Sequence, residues 1–111
     1  MASAHKRQEL GLKFAFEVIK QHILRMHPKC PDFAVEYFAT KIADRNWKKC
    51  TLGQAVGITM QSVLRHEMTN YDQLLLIGIE RREARRRVQR KVNAMIASWQ
   101  APADPEAHGS G

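Results

Sequence analysis

Arg82, Arg86 and Arg90 recur at every fourth position, so on a helix they stand in one row. Guanidinium groups fork onto phosphate oxygens, and a row of them suits a polyanion. Arg87 and Lys91 border the row on one side. Between Glu80 and Lys91, six Arg and one Lys face two Glu, a local balance of +5 out of the chain's formal +7. The excess charge is therefore concentrated on one short stretch. Like charges meet at four-residue spacing at Arg81/Arg85, Arg82/Arg86, Arg86/Arg90 and Arg87/Lys91, which together cost an isolated helix roughly 1–2 kcal/mol. Glu83 gives Arg87 one favourable partner at that spacing. A surface selected only for solvation and stability would alternate its signs. This one does not, and phosphates laid across it would relieve the repulsion.

Arg45, Lys48 and Lys49 form a second basic group, placed just before a helix start where backbone N–H groups also favour anions. Trp47 lies among them. Its ring either stacks on a base, as in single-strand binders, or anchors the helix end in the core. A third constellation is Arg65, His66, Tyr71, Arg81 and Arg85. These are the residue types that cleave a phosphodiester through a tyrosine nucleophile, with His as acid or base and Arg steadying the developing charge. The spacing is not diagnostic, and Tyr71 at a helix start is more simply a packed aromatic. With Asp72 the set reads as a structural network, in which Arg81 and Arg85 reach Asp72, Tyr71 or Glu67 and lock two helices together. No catalytic residue is assigned. His22, His27 and Cys30 do not complete a metal site, because Pro28 intervenes and no carboxylate joins them. Cys30 and Cys50 read as small hydrophobes, and no cofactor is expected.

These side chains need helices to position them. Periodicity is helical throughout, and no stretch alternates long enough for a strand. A first helix is expected from near Arg7 to His27, stopped by Pro28, with Leu12, Ala15, Phe16, Ile19, Ile23 and Met26 as its stripe. Leu10, Phe14 and Leu24 fall off that stripe. They either pack within the monomer or offer a face to a partner or twin subunit. A second helix should start at Pro31 and end near Asp44, burying Ala34, Val35, Phe38 and Ile42, with Phe33 and Tyr37 widening the face.

Thr51 and Gln54 have capping-box spacing, and Leu52, Val56, Met60, Val63 and Leu64 continue a stripe to about Met68. The same stretch also fits a helix-turn-helix, with the turn at Gly57, a recognition helix over Thr59 to His66, and Gln61, Ser62 and Arg65 as base readers. The capping box and the unbroken stripe favour one helix. A short fourth helix is expected from Tyr71 to Ile77, capped by Asn70 and ended by Gly78. The fifth should run from about Arg81 to Trp99, with Ala84, Val88, Val92, Met95, Ile96 and Trp99 inward and Glu80 and Glu83 at its first turn. The expected fold is thus all-α, a compact bundle of four to five helices over residues 7–100. Residues 1–6 are read as a flexible start and 101–111 as a disordered tail.

The stretch Leu64-Arg65-His66-Glu67-Met68-Thr69-Asn70-Tyr71-Asp72-Gln73-Leu74-Leu75, then Gly78-Ile79, Arg81, Glu83-Ala84-Arg85, Val88 and Trp99, resembles domain-of-unknown-function family 2293 (DUF2293). Pro28 to Pro31 is similar to the same family. Between Arg45 and Thr51 the chain departs from the Gly- and Arg-rich loop of that family. The resemblance implies a shared fold and no particular activity.

The chain has 111 residues, 44% hydrophobic and 26% charged, one domain's worth of protein with enough apolar side chains for a core. No apolar run approaches the ~18 residues of a membrane span. No signal sequence is evident, and two cysteines are too few for a disulfide scaffold or a four-ligand zinc site. The expectation is a cytoplasmic, basic protein that binds nucleic acid, DNA or RNA, non-catalytically through Arg82, Arg86, Arg87, Arg90 and Lys91, with Arg45, Lys48 and Lys49 extending the surface. The alternative is an interaction module that docks on an acidic protein partner or forms a homodimer.

Overall fold

Gly11 explains why the first helix starts late. It takes φ +84, a left-handed conformation, and a Cβ there would stand 2.7 Å from the Trp47 carbonyl oxygen. Next to it, Leu12 and Trp47 exchange two backbone hydrogen bonds of 2.8 and 2.7 Å. That bridge holds the chain extended, and α1 begins only at Phe16, running Phe16–Met26. The expected stripe is corrected accordingly. Leu12 and Ala15 precede the helix and are exposed, Met26 is exposed, and α1 buries Ile19 and Ile23. The computed structural model describes residues 11–100. The expectations for 1–6, for a start near Arg7, for Leu10 and for 101–111 lie outside the described residues.

Pro28 follows the C-cap His27, and Pro31 precedes α2, Asp32–Ala43. Ala34, Val35, Phe38, Ala39 and Ile42 are buried. Phe33 and Tyr37 do not widen this face as expected, since they are 78% and 46% exposed. Trp47 then turns inward, 4% exposed, with its indole N–H donating to the Ile42 carbonyl at 3.0 Å. The ring closes the end of α2 and, through its backbone, fastens the segment before α1.

α3 spans Leu52–Met68 without a break. Both halves of its capping box form: Gln54 N donates to Thr51 Oγ1 at 3.1 Å, and Thr51 N to Gln54 Oε1 at 2.8 Å. The helix-turn-helix alternative is excluded, because Gly57 sits mid-helix and Thr59, its would-be first recognition residue, is buried. α4 is Tyr71–Leu76. Asn70 does not cap it by its side chain as expected. Thr69 does so instead, its hydroxyl accepting from Tyr71 N at 3.1 Å and donating to the Arg65 carbonyl. Gly78, at φ +95, ends α4 as expected. Its N–H donates to Leu75 and that of Ile79 to Leu74, so two open carbonyls are satisfied.

α5, Arg81–Trp99, starts on Glu80, whose carboxylate accepts from Glu83 N at 3.2 Å. The five helices make an all-α bundle with two centres of packing. Ile19, Ile23, Val35, Phe38, Ile42, Trp47, Ala55, Val56 and Met60 unite α1, α2 and α3, and Phe14 and Leu24 pack against them. Tyr71, Ala84 and Val88, with Leu74, Leu75 and Ile79 around them, join α4 to α5. α5 spans both centres. Its far end lays Ile96 and Trp99 on the larger core, with the Trp99 ring 6.0 Å from Phe38 and its carbonyl accepting from Lys29 N.

Candidate nucleic-acid interface

Ala84, Val88 and Val92 turn inward, which places Arg82, Arg86 and Arg90 on the far side of α5. All three are exposed, as are Arg87 and Lys91. Among the described residues, one carboxylate serves this group. Glu83 accepts from Arg86 through Nε at 3.0 Å and Nη2 at 2.6 Å, and from Arg87 Nε at 2.9 Å. The two guanidinium groups hold the Glu83 carboxyl down at about 2, Arg86 more than Arg87. Arg82, Arg90 and Lys91 have no acidic partner among the described residues. The ridge therefore keeps its charge in solvent instead of spending it on the fold.

Arg45, Lys48 and Lys49 are also exposed, around a cleft of about 560 Å³ lined by Trp47, Cys50, Gln54 and Ile58 as well. The Arg45 guanidinium lies 4.1 Å from the centre of the Trp47 ring. Trp47 is thus an anchor, buried on one side and covered by Arg45, and has no free face for a base. This cluster does not merge with the ridge. α3 and α5 run antiparallel, with Gln61 hydrogen-bonded to Gln89 and Asn93. Arg82 to Lys91 consequently lie along the C-terminal half of α3, whereas the loop precedes its N-terminus. At 1.5 Å per residue the two cationic areas stand roughly 15 Å or more apart.

The third constellation is brought together differently from expectation. His66 Nδ1 lies 2.7 Å from the Asp72 carboxylate, and the His66 ring meets Tyr71 edge-on at 5.1 Å. The Arg65 guanidinium stands over the Tyr71 ring at 5.6 Å. Arg81 and Arg85 do not bond Asp72 or Glu67, and Asp72 pairs with His66 instead. Tyr71 is 3% exposed and packs on Ala84 and Val88, which supports the packed aromatic over the nucleophile. Arg85 instead faces Arg65, and burial followed by the Arg85 charge makes Arg65 release its proton more readily than usual.

Sequence reasoning missed this arginine pair and the Gln61–Gln89–Asn93 amide row beside it. The signal was present: Gln61 and Arg65 on one helix mirror Gln89 and Arg85 on the other, each four apart. Only the antiparallel register turns those two spacings into neighbours. Elsewhere, Cys30 is buried, and desolvation pushes its thiol up to about 11, so it behaves as a core side chain. Burial lowers the proton affinity of His22 and His27, and the Nδ1 of His27 is buried without a partner among the described residues.

No helix among the described residues is long and apolar enough to cross a membrane. Comparison with known families matches residues 22–100 to one described as an uncharacterized conserved protein, DUF2293. No curated protein and no solved structure matches the chain.

Proposed function

Since the chain belongs to the DUF2293 family, whose description carries no activity, its role must be read from its own surface, and we propose that it binds nucleic acid without reacting with it. The binding face is the outer side of α5: Arg82, Arg86, Arg87, Arg90 and Lys91. The observation that carries this reading is the charge count there, five exposed cations with Glu83 as their one bonded acid among the described residues. Such a row gains little from the protein it belongs to and much from phosphates.

Contacts of this kind neutralise backbone charge, so binding weakens steeply with salt and discriminates weakly between sequences. With about five phosphates engaged, log K falls against log salt with a slope near −4 to −5. Arg82→Gln combined with Arg90→Gln should make the slope shallower by about 2 while the helical signal stays intact. A slope unchanged by those two substitutions removes the ridge from the account. A gel-shift series over single-stranded DNA, double-stranded DNA and RNA then selects the ligand.

One feature favours a second reading, a protein-interaction module. Phe33, Tyr37, Met68 and Trp99 line an apolar groove of about 420 Å³ between α2, α3 and α5. A pull-down that survives nuclease treatment would favour it over nucleic acid.

A further inference from the structure

The hydrogen bond from Gln89 Nε2 to Gln61 Oε1, 2.8 Å, fixes which turns of α3 and α5 face each other. One turn towards the end of α3 is Arg65, and one turn back along α5 is Arg85. The row that pairs two amides at one level therefore sets two arginines side by side at the next. The Arg65 Nε is buried there and has no hydrogen-bond partner among the described residues. Two nearby acceptors are otherwise engaged. Asp72 lies against His66, and the Thr69 hydroxyl is committed to the Arg65 carbonyl and Tyr71 N. The Tyr71 ring, 5.6 Å beneath the guanidinium, provides a floor that accepts no strong hydrogen bond.

A buried, unpartnered N–H beside a second positive charge is an arrangement proteins rarely leave uncompensated. A carboxylate from the chain would be the usual solution, yet no salt bridge reaches Arg65 or Arg85 among the described residues. An oxyanion resolves both faults together, because one tetrahedral group can accept from two guanidinium forks. We propose that Arg65 and Arg85 form a seat for a single phosphate-class oxyanion at the α3–α5 seam, with the Tyr71 ring as its floor. The ligand is a free phosphate or one backbone phosphate of a nucleic acid, which share this chemistry. The seat stands on its own residues and does not require the outer ridge to bind anything.

The test is a side-chain nitrogen-15 NMR titration of the full chain, following the Arg65 Nε–H signal as inorganic phosphate is added at constant ionic strength against chloride. In parallel, a short DNA or RNA oligonucleotide replaces the phosphate. The signal should shift saturably with at least one of the two. Response to phosphate alone or to both identifies a free-anion seat, and response to the oligonucleotide alone identifies a backbone seat. Arg85→Gln, an exposed position, should weaken the response roughly tenfold, as loss of a charge-assisted hydrogen-bond pair does. Arg65→Lys should weaken it comparably, since an ammonium cannot fork, with Arg85 Nε–H as the reporter.

Without phosphate, Arg85→Gln should also melt higher than the parent, because the facing charge is gone. Arg82→Gln with Arg90→Gln should leave the phosphate response intact, so failure of the ridge and failure of the seat are told apart. An Arg65 signal unmoved by both ligands, or a response that Arg85→Gln leaves unchanged, overturns the proposal.

Discussion

Glu83 decides how much of the ridge is available. It is the acid bonded to both Arg86 and Arg87, and its carboxyl is held at about 2 against about 4.3 for a free glutamate. A carboxyl lowered in the folded state contributes stability that is complete above its unfolded value and disappears as pH falls through the folded one. The parent should therefore melt above Glu83→Gln at pH 6, and the two melting temperatures should converge as pH falls from about 5 towards 2. The same substitution frees two guanidinium groups. It should tighten binding to a polyanion, because the acid beside the row is gone, while Gln keeps the chain length and the backbone donor to Glu80. An unchanged affinity would mean that Arg86 and Arg87 do not touch the ligand. Sequence showed the Glu83–Arg87 half of this arrangement through its four-residue spacing. Arg86, three residues on, completes it with the two-pronged bond, and such rotamer choices are settled by local geometry that spacing does not specify.

At the level of elements, most of the fold was legible because it is written in local signals. Thr51 and Gln54 form the capping box their spacing promised, and Gly78 takes the left-handed conformation that ends α4. The failures arise where distant segments meet. Nothing in the periodicity of residues 7–27 reveals that Leu12 will pair with Trp47 across 35 positions and pull the chain out of the helix. Likewise, Phe33 and Tyr37 have the right character for the buried face of α2 but line an open groove beside α3 and stay exposed. Gly57 inside α3 and Gly78 after α4 test the element reading directly. A Cβ at Gly57 meets nothing within 4 Å, so Gly57→Ala should stabilise the protein by about 1 kcal/mol through helix propensity. In a helix-turn-helix the same change would be destabilising. Gly78→Ala also has open space, yet its φ of +95 strains any other residue and should cost about 1 kcal/mol or more. Denaturant midpoints for the two variants should move in opposite directions.

For the whole molecule, the distribution of charge sets stability against binding. α1 to α4 are nearly balanced and hold the cores, while α5 carries the surplus and reaches into both centres of packing. The helix that most repels itself is thus kept folded by apolar contacts made elsewhere along its length, at Ala84, Val88, Val92, Ile96 and Trp99. Added salt acts on these two properties with opposite sign. Screening of the like-charged pairs on α5, and of Arg65 against Arg85, removes repulsion, whereas the compensating pairs lost with it are few: Lys20–Glu36 and the two ion pairs of Glu83 among the described residues, with His66–Asp72 contributing when the imidazole is protonated. Relief of about half the roughly 1–2 kcal/mol of helix repulsion corresponds to a melting temperature higher by about 2–8 °C in a domain this size. Sodium chloride raised from about 10 mM to 150 mM, which shortens the Debye length from about 30 Å to about 8 Å, should therefore raise the melting temperature while weakening polyanion binding. A melting temperature that falls with salt would show the attractive pairs outweighing the ridge, and the cationic row would then be a stabilising surface of the fold.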